Sequence, residues 1–320
     1  MTKIPSLLSP GVILIPEPLQ LGDTVAVVAP SGPVDHDLLA PGVAFLKHKG
    51  FRVIEGFHVC ERSGYLAGTD DQRCTDLNAM LRDPVVRGIF FARGGYGAMR
   101  LLEHPDLEAV SNDPKLLVGM SDATALQLSL FSSSGLMTLA GPMIAGQVGT
   151  GLDPVSEESM LRALTEPIDG RNLLAPAESA LRVLRPGRAS GILVGGCMSL
   201  VTALLGTAHS PDYSGAILFL EEVNEPPYRL DRMLIHLKLA GVLDKIAGLV
   251  AGHFLGPQGE DLAGEVNRIL LDVTEDKPIP ILTRVPHGHT LPNLTMTHGA
   301  PVSLDTERVS LTVDLERFAS

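Results

Sequence analysis

The chain has 320 residues, enough for two domains that each bury a core, and its 45% hydrophobic and 19% charged residues give an ordinary globular balance. Twenty-five basic residues against thirty-seven acidic ones leave a formal charge of -12. That excess repels phosphate backbones and anionic lipid, Arg182, Arg185 and Arg188 are too spread out to form a basic patch, and 4% aromatic residues with no Trp give no base-stacking platform, so neither nucleic acid nor a membrane surface is an expected partner.

In the first half, strand-like and helix-like segments alternate. Residues 24–29 (TVAVVA) are short, β-branched and followed by the turn Pro30-Ser31-Gly32-Pro33, which predicts a buried strand. Helical spacing through Leu38, Val43, Phe45 and Leu46 ends at Gly50, and residues 51–54 begin another strand. Asp71, Cys74, Leu77 and Met80 predict a helix over 70–81, and residues 88–92 (GIFFA) the next strand. Residues 116–119 then form a strand and 122–131 a helix. Alternation at this spacing implies parallel strands with crossover helices.

A short helix over 156–164 is followed by a Pro/Ala/Arg-rich run. The expected division is therefore an N-terminal domain over 1–165, a linker over 166–189 and a C-terminal domain over 190–320. The uncharged stretch 190–208 is long enough to raise a transmembrane reading, but it stands alone and contains Gly191, Gly195, Gly196, Ser199, Thr202, Gly206 and Thr207. A helix buried between the domains is the expectation, apolar over 198–205. Strands at 216–220, 246–251 and 280–283 alternate with helices at 228–240 and 260–273, and 302–304 with 309–313 suggest a small antiparallel finish. The expected class is α/β: a parallel-sheet N-terminal domain with a nucleophile elbow, and a smaller C-terminal α/β domain.

Cys60, Cys74 and Cys197 are odd in number and form no Cys-x-x-Cys pair, which speaks against a disulfide framework or a thiolate zinc site. One lysine and four prolines interrupt the first twenty residues, so no secretory signal is read and the cytoplasm is the expected compartment.

Four segments could carry chemistry. In Leu116-Leu117-Val118-Gly119-Met120-Ser121-Asp122-Ala123 an apolar strand runs into a serine and a helix begins at once. That is the layout of a nucleophile elbow, with Ala123 where a second glycine usually stands; the alternative is a plain helix cap. Arg93-Gly94-Gly95-Tyr96-Gly97 follows a strand, where glycines let backbone amides approach a ligand, but it lacks the spacing of a dinucleotide or P-loop motif and reads equally well as a turn. Leu220-Glu221-Glu222-Val223-Asn224-Glu225 places carboxylates at a strand end, where one can orient an imidazole. Val285-Pro286-His287-Gly288-His289 offers that imidazole, or a His-x-His metal pair with no third ligand motif beside it.

Together with Leu21-Gly22-Asp23-Thr24 through Pro30-Ser31, with Pro226-Pro227-Tyr228-Arg229-Leu230-Asp231-Arg232 and with Pro292-Asn293-Leu294, these segments resemble, in order and over most of the chain, the LD-carboxypeptidase family, which includes the microcin C self-immunity proteins. The resemblance implies a serine peptidase with Ser121 as nucleophile, His289 as general base and Glu221 holding the imidazole. Backbone amides of Asp122 and of the loop at Gly94 and Gly95 would receive the oxyanion. It implies release of a terminal D-amino acid from murein tetrapeptides in cell-wall recycling, a small peptide as partner, a homodimer, and no cofactor or metal. Two departures stand out: Gly195-Gly196-Cys197-Met198 replaces the family's frequent Gly-Gly-Asn-Leu, and Glu222 replaces a usual aspartate. The rival readings are an immunity-like hydrolase of peptidyl or aminoacyl nucleotides, a non-catalytic muropeptide binder, and a metal hydrolase using His287 and His289. Arg93, Arg229 and Arg232 are candidates for gripping a substrate carboxylate, against the alternative of ordinary ion pairing.

Overall fold

A computed structural model describes residues 12–175 and 181–316; part of the expected linker lies outside the described residues. In chain order the elements are β1 (Thr24–Val28), α1 (His36–His48), β2 (Arg52–Glu55), α2 (Asp70–Arg82), β3 (Val86–Phe91), α3 (Leu107–Asn112), β4 (Leu116–Gly119), α4 (Ala123–Ser134), β5 (Thr138–Ala140) and α5 (Pro154–Thr165). The second half adds β6 (Arg182–Arg185), β7 (Arg188–Cys197), α6 (Met198–Ala203), β8 (Ile217–Val223), α7 (Pro227–Leu239), α8 (Val242–Lys245), β9 (Gly248–Leu255), α9 (Ala263–Val273), β10 (Ile281–Thr283), β11 (Met296–His298), β12 (Pro301–Asp305) and β13 (Ser310–Val313).

Two mixed sheets result, in the orders β11-β5-β4-β3-β1-β2 and β13-β12-β7-β8-β9-β10-β6. The first is parallel except for β11, which pairs antiparallel with β5 through Met296 opposite Ala140 and His298 opposite Thr138. In the second, β7 to β10 run parallel and the outer pairings are antiparallel. Local chemistry fits each element. Thr69 and Gln72 form a capping box at the start of α2, and Asp153 caps α5 through the Val155 and Ser156 amides. Gly135, with φ 78°, closes α4 in the left-handed conformation that glycine favours.

Every residue of α4 from Ala123 to Phe131 is buried, so the helix is core on all sides. One apolar cluster runs from Val28 and Phe91 through Leu126 and Met198 to Leu218 and Leu270, so the two sheets share a core. Among the described residues no helix is long and apolar enough to cross a membrane.

The helix expected over 190–208 is corrected. Its first part is β7, flanked by β12 and β8, and the helix is confined to the six residues of α6. Glycine explains the difference: a Cβ on Gly191 would lie 2.0 Å from the Gly215 carbonyl oxygen, and one on Gly195 1.8 Å from that of Phe219. Only a residue without a side chain lets neighbouring strands pass there. Within 166–189, β6 and the first residues of β7 are strand in the second sheet, and the Leu173 amide donates to the Leu311 carbonyl at 2.9 Å.

Candidate active site

Ser121 follows β4 with φ 63°, a left-handed conformation that costs a non-glycine residue about 1–3 kcal/mol. The reversal is held by the Ala123 amide donating to Met120 O at 3.2 Å and the Thr124 amide to Ser121 O at 2.9 Å, which starts α4 directly behind the serine. Gly94 touches this turn: a Cβ there would lie 2.8 Å from both Cβ and Oγ of Ser121. The Gly32 amide donates to Gly94 O at 2.9 Å and fixes the loop's height over the strand ends. Gly95 has φ 102°, again a glycine conformation. The buried side chain of Asp122 accepts from the Ala98 amide at 2.7 Å, tying the far end of the glycine loop to the elbow. Burial pushes the Asp122 carboxyl up, against the hydrogen bond from Ala98 and the charge of Arg73.

Glu221 lies near the end of β8, 1% exposed, and its Oε2 is 2.8 Å from His289 Nδ1. A carboxylate acceptor places the ring proton on Nδ1 and leaves Nε2 as the basic nitrogen. Burial by itself lowers the basicity of His289, but the charge and hydrogen bond of Glu221 and the charge of Glu222 outweigh it, and the pKa is raised. Gly288, φ 132°, makes the contact possible: a Cβ there would lie 2.8 Å from Glu221 Oε2.

Glu222 has separate partners. It accepts from the Ser199 amide at 2.6 Å, the Val223 amide at 2.9 Å and Cys197 Sγ at 3.3 Å. Burial and then the neighbouring Glu221 charge push its carboxyl up, while burial and both glutamates push the Cys197 thiol well up. Cys197 and Glu222 are thus one buried, hydrogen-bonded cluster.

Loop 287–293 is bound to the first sheet beside the elbow. Gln147 Nε2 donates to Gly288 O at 3.1 Å and Thr290 O at 3.3 Å. Asn293 Nδ2 donates to Gln147 Oε1 at 2.7 Å and to Met120 Sδ at 3.2 Å, and Asn293 Oδ1 accepts from the Gly288 amide at 3.1 Å. The structure therefore joins Glu221 with His289, joins Ser121 with Gly94, and sets the two pairs on adjoining loops; among the described residues Ser121 and His289 are not hydrogen-bonded to each other. Gln147 was not legible as a site residue, because it sits in the irregular turn Ile144–Val148 with no motif around it.

His287 is a core residue, 2% exposed, with Nδ1 2.8 Å from Leu294 O and its ring edge-on to Phe219. Among the described residues no group of three or more His, Cys, Asp or Glu could hold a metal ion. Of the candidate arginines, Arg229 pairs with Glu225 at 3.0 Å and Arg232 stacks 5.9 Å from the Tyr228 ring centroid. Arg93 donates from Nη1 to Pro33 O at 2.6 Å.

Two family models match the chain, described as the LD-carboxypeptidase N-terminal domain over residues 25–141 and the LD-carboxypeptidase C-terminal domain over 190–304. The chain belongs to the LD-carboxypeptidase family. It is a peptidase by that membership, and the α/β two-domain fold expected from the sequence is the fold of its relatives. It is similar to a probable murein peptide carboxypeptidase of Bacillus subtilis, 33% identical over 302 residues that cover 93% of this chain and 94% of the relative. The microcin C7 self-immunity protein MccF of Escherichia coli is 28% identical over 332 residues, 94% of this chain and 95% of its own. The solved wild-type apo structure of MccF superposes with a TM-score of 0.87 at 26% identity, covering 94% of this chain and 98% of that one. A muramoyltetrapeptide carboxypeptidase structure from Oxalobacter formigenes gives 0.78 at 29% identity, covering 90% and 97%.

Proposed function

We propose that this LD-carboxypeptidase is a cytoplasmic serine peptidase that hydrolyses the L,D-amide bond of murein tetrapeptides and releases the terminal D-alanine. The buried 2.8 Å contact between Glu221 Oε2 and His289 Nδ1, beside an elbow that strains Ser121 into φ 63°, is the observation that carries this reading. Ser121 Oγ attacks the scissile carbonyl as His289 Nε2 takes its proton, and Glu221 stabilises the imidazolium. The oxyanion meets the amides of Asp122 and of the loop at Gly94 and Gly95, where the start of α4 adds its dipole. Collapse breaks the amide bond, and the proton passes from His289 to the departing D-alanine nitrogen. Water, deprotonated by the same imidazole, then cleaves the acyl-enzyme. The Ser121–His289 hydrogen bond forms in this scheme when substrate fills the space between the two loops.

The test is D-alanine release from purified murein tetrapeptide by wild type and Ser121→Ala, with EDTA in both. The expected result is EDTA-resistant release by wild type and a loss of at least about 10³-fold in the variant. Equal behaviour of the two proteins would remove the triad, and retention of peptide without turnover would make the chain a muropeptide binder. The higher TM-score to MccF favours one second reading, hydrolysis of an aminoacyl nucleotide. Wild type that ignores the tetrapeptide but shows Ser121-dependent turnover of such a nucleotide would select it. The same reading has the protein act as a homodimer, for which sedimentation equilibrium should return twice the 33.9 kDa chain mass.

A further inference from the structure

A peptidase that removes only the last residue of a peptide must recognise a free carboxylate, and the surroundings of Ser121 oppose one. Asp122, Glu221 and Glu222 are all buried carboxyl groups of this region, and the chain as a whole carries -12. Six stretches are brought around the elbow, 30–34, 93–97, 119–124, 143–148, 195–199 and 287–293, the fifth through the Cys197 amide, which donates to Thr124 Oγ1 at 3.2 Å. They contain a single Lys or Arg, Arg93.

Three other arginines are committed elsewhere. Arg73, beneath Gly97, has 1% side-chain exposure and is bound to Pro30 O and Asp70. Arg100 makes a bidentate pair with the same Asp70 at 2.6 to 2.9 Å, and Arg229 pairs with Glu225. Arg93 is different. It is exposed and immediately precedes Gly94, the residue in contact with Ser121. It forms no ion pair among the described residues, and its donation to Pro33 O at 2.6 Å uses one Nη1–H. A guanidinium has five donors in a planar fork matched to a carboxylate, so the remaining donors suffice for a bidentate grip.

We propose that Arg93 binds the terminal carboxylate of the peptide and thereby confines cleavage to the last residue. The inference rests on the L,D-carboxypeptidase reading above and assigns the group that enforces its exopeptidase selectivity.

The experiment compares wild type, Arg93→Gln and Arg93→Lys on the murein tetrapeptide with a free C-terminal D-alanine and on the same peptide with a C-terminal amide. For wild type, kcat/KM should favour the free acid by about 10²-fold, the scale of a charged hydrogen-bonded pair. In Arg93→Gln the acid should lose about that factor while the amide is cleaved as by wild type, so that discrimination collapses; Arg93→Lys should recover only part of it. Unchanged amide cleavage also shows that the variant is folded and its triad intact. Discrimination that persists in Arg93→Gln, or an equal loss on acid and amide, would overturn the assignment while leaving the L,D-carboxypeptidase reading in place. Wild type that releases no D-alanine from the tetrapeptide would overturn both.

Discussion

At His289 two effects pull in opposite directions: burial disfavours the imidazolium, and the charges of Glu221 and Glu222 favour it and prevail. In the proposed triad the base must be unprotonated to accept the serine proton, so the acidic limb of kcat/KM should lie above the usual histidine value near 6.5, with activity rising as pH climbs through it. Glu221→Gln removes the charge that raises the pKa. The limb should move to lower pH while the plateau falls about 10³- to 10⁴-fold, and a pH–rate profile of both proteins checks the two effects separately. Neighbouring Gly94 marks the opposite sensitivity. Gly94→Ala drives a methyl to within 2.8 Å of Ser121 Oγ. We expect a loss of about 10²-fold in kcat, the scale of a misplaced reacting group, read from steady-state kinetics on the tetrapeptide.

Most strands and helices of the first half could be read from the sequence, because β1, β3 and β4 are short apolar runs bounded by turn residues and α1 and α2 carry spaced apolar residues. The same reading fails at β7, where burial on both faces removes alternation and the close passage of β8 shows only as glycines. Whether Gly195 serves a strand or breaks a helix is decided by Phe219, twenty-four positions on, and no local pattern carries that. Gly195→Ala should therefore destabilise the protein by about 3 kcal/mol, through overpacking against the Phe219 carbonyl and a strained φ of 147°; urea denaturation measures it. β5 and β11, three residues each, are too short to show a period, so the pairing that completes the first sheet was not legible either. At the site, places at strand ends marked Ser121, the Glu221–Glu222 pair and the His287–His289 loop as candidates, and only the family resemblance singled out Ser121, Glu221 and His289 among them. The φ of Ser121, the bridging role of Gln147 and the burial of Glu222 depend on contacts between distant segments.

Across the whole molecule the two sheets meet at a polar residue with no polar partner. His298 on β11 is fully buried, its ring edge-on to Phe131 of α4 and near Phe219 of β8, and neither ring nitrogen is hydrogen-bonded among the described residues. Burial lowers its pKa to about 3. Between that value and 6.5 the unfolded chain binds a proton that the folded one refuses, so stability falls as pH drops through the window and is level above it. The contribution is about 1.4 kcal/mol per pH unit, and His298→Leu should flatten the slope of unfolding free energy by that amount between pH 4 and 6. The position of β11 also bears on how the chain is made. The first sheet is complete only when residues 296–298 cover the open side of β5, and those residues come after nine-tenths of the sequence. A ribosome delivers the amino-terminal half long before its last strand, and during that interval β5 presents an uncapped row of amides and carbonyls to any other extended peptide nearby. Neither half is then a self-sufficient translation product, and a stop codon shortly before residue 296 would release a protein lacking its final thirty residues but exposing an adhesive border in the half that was made first.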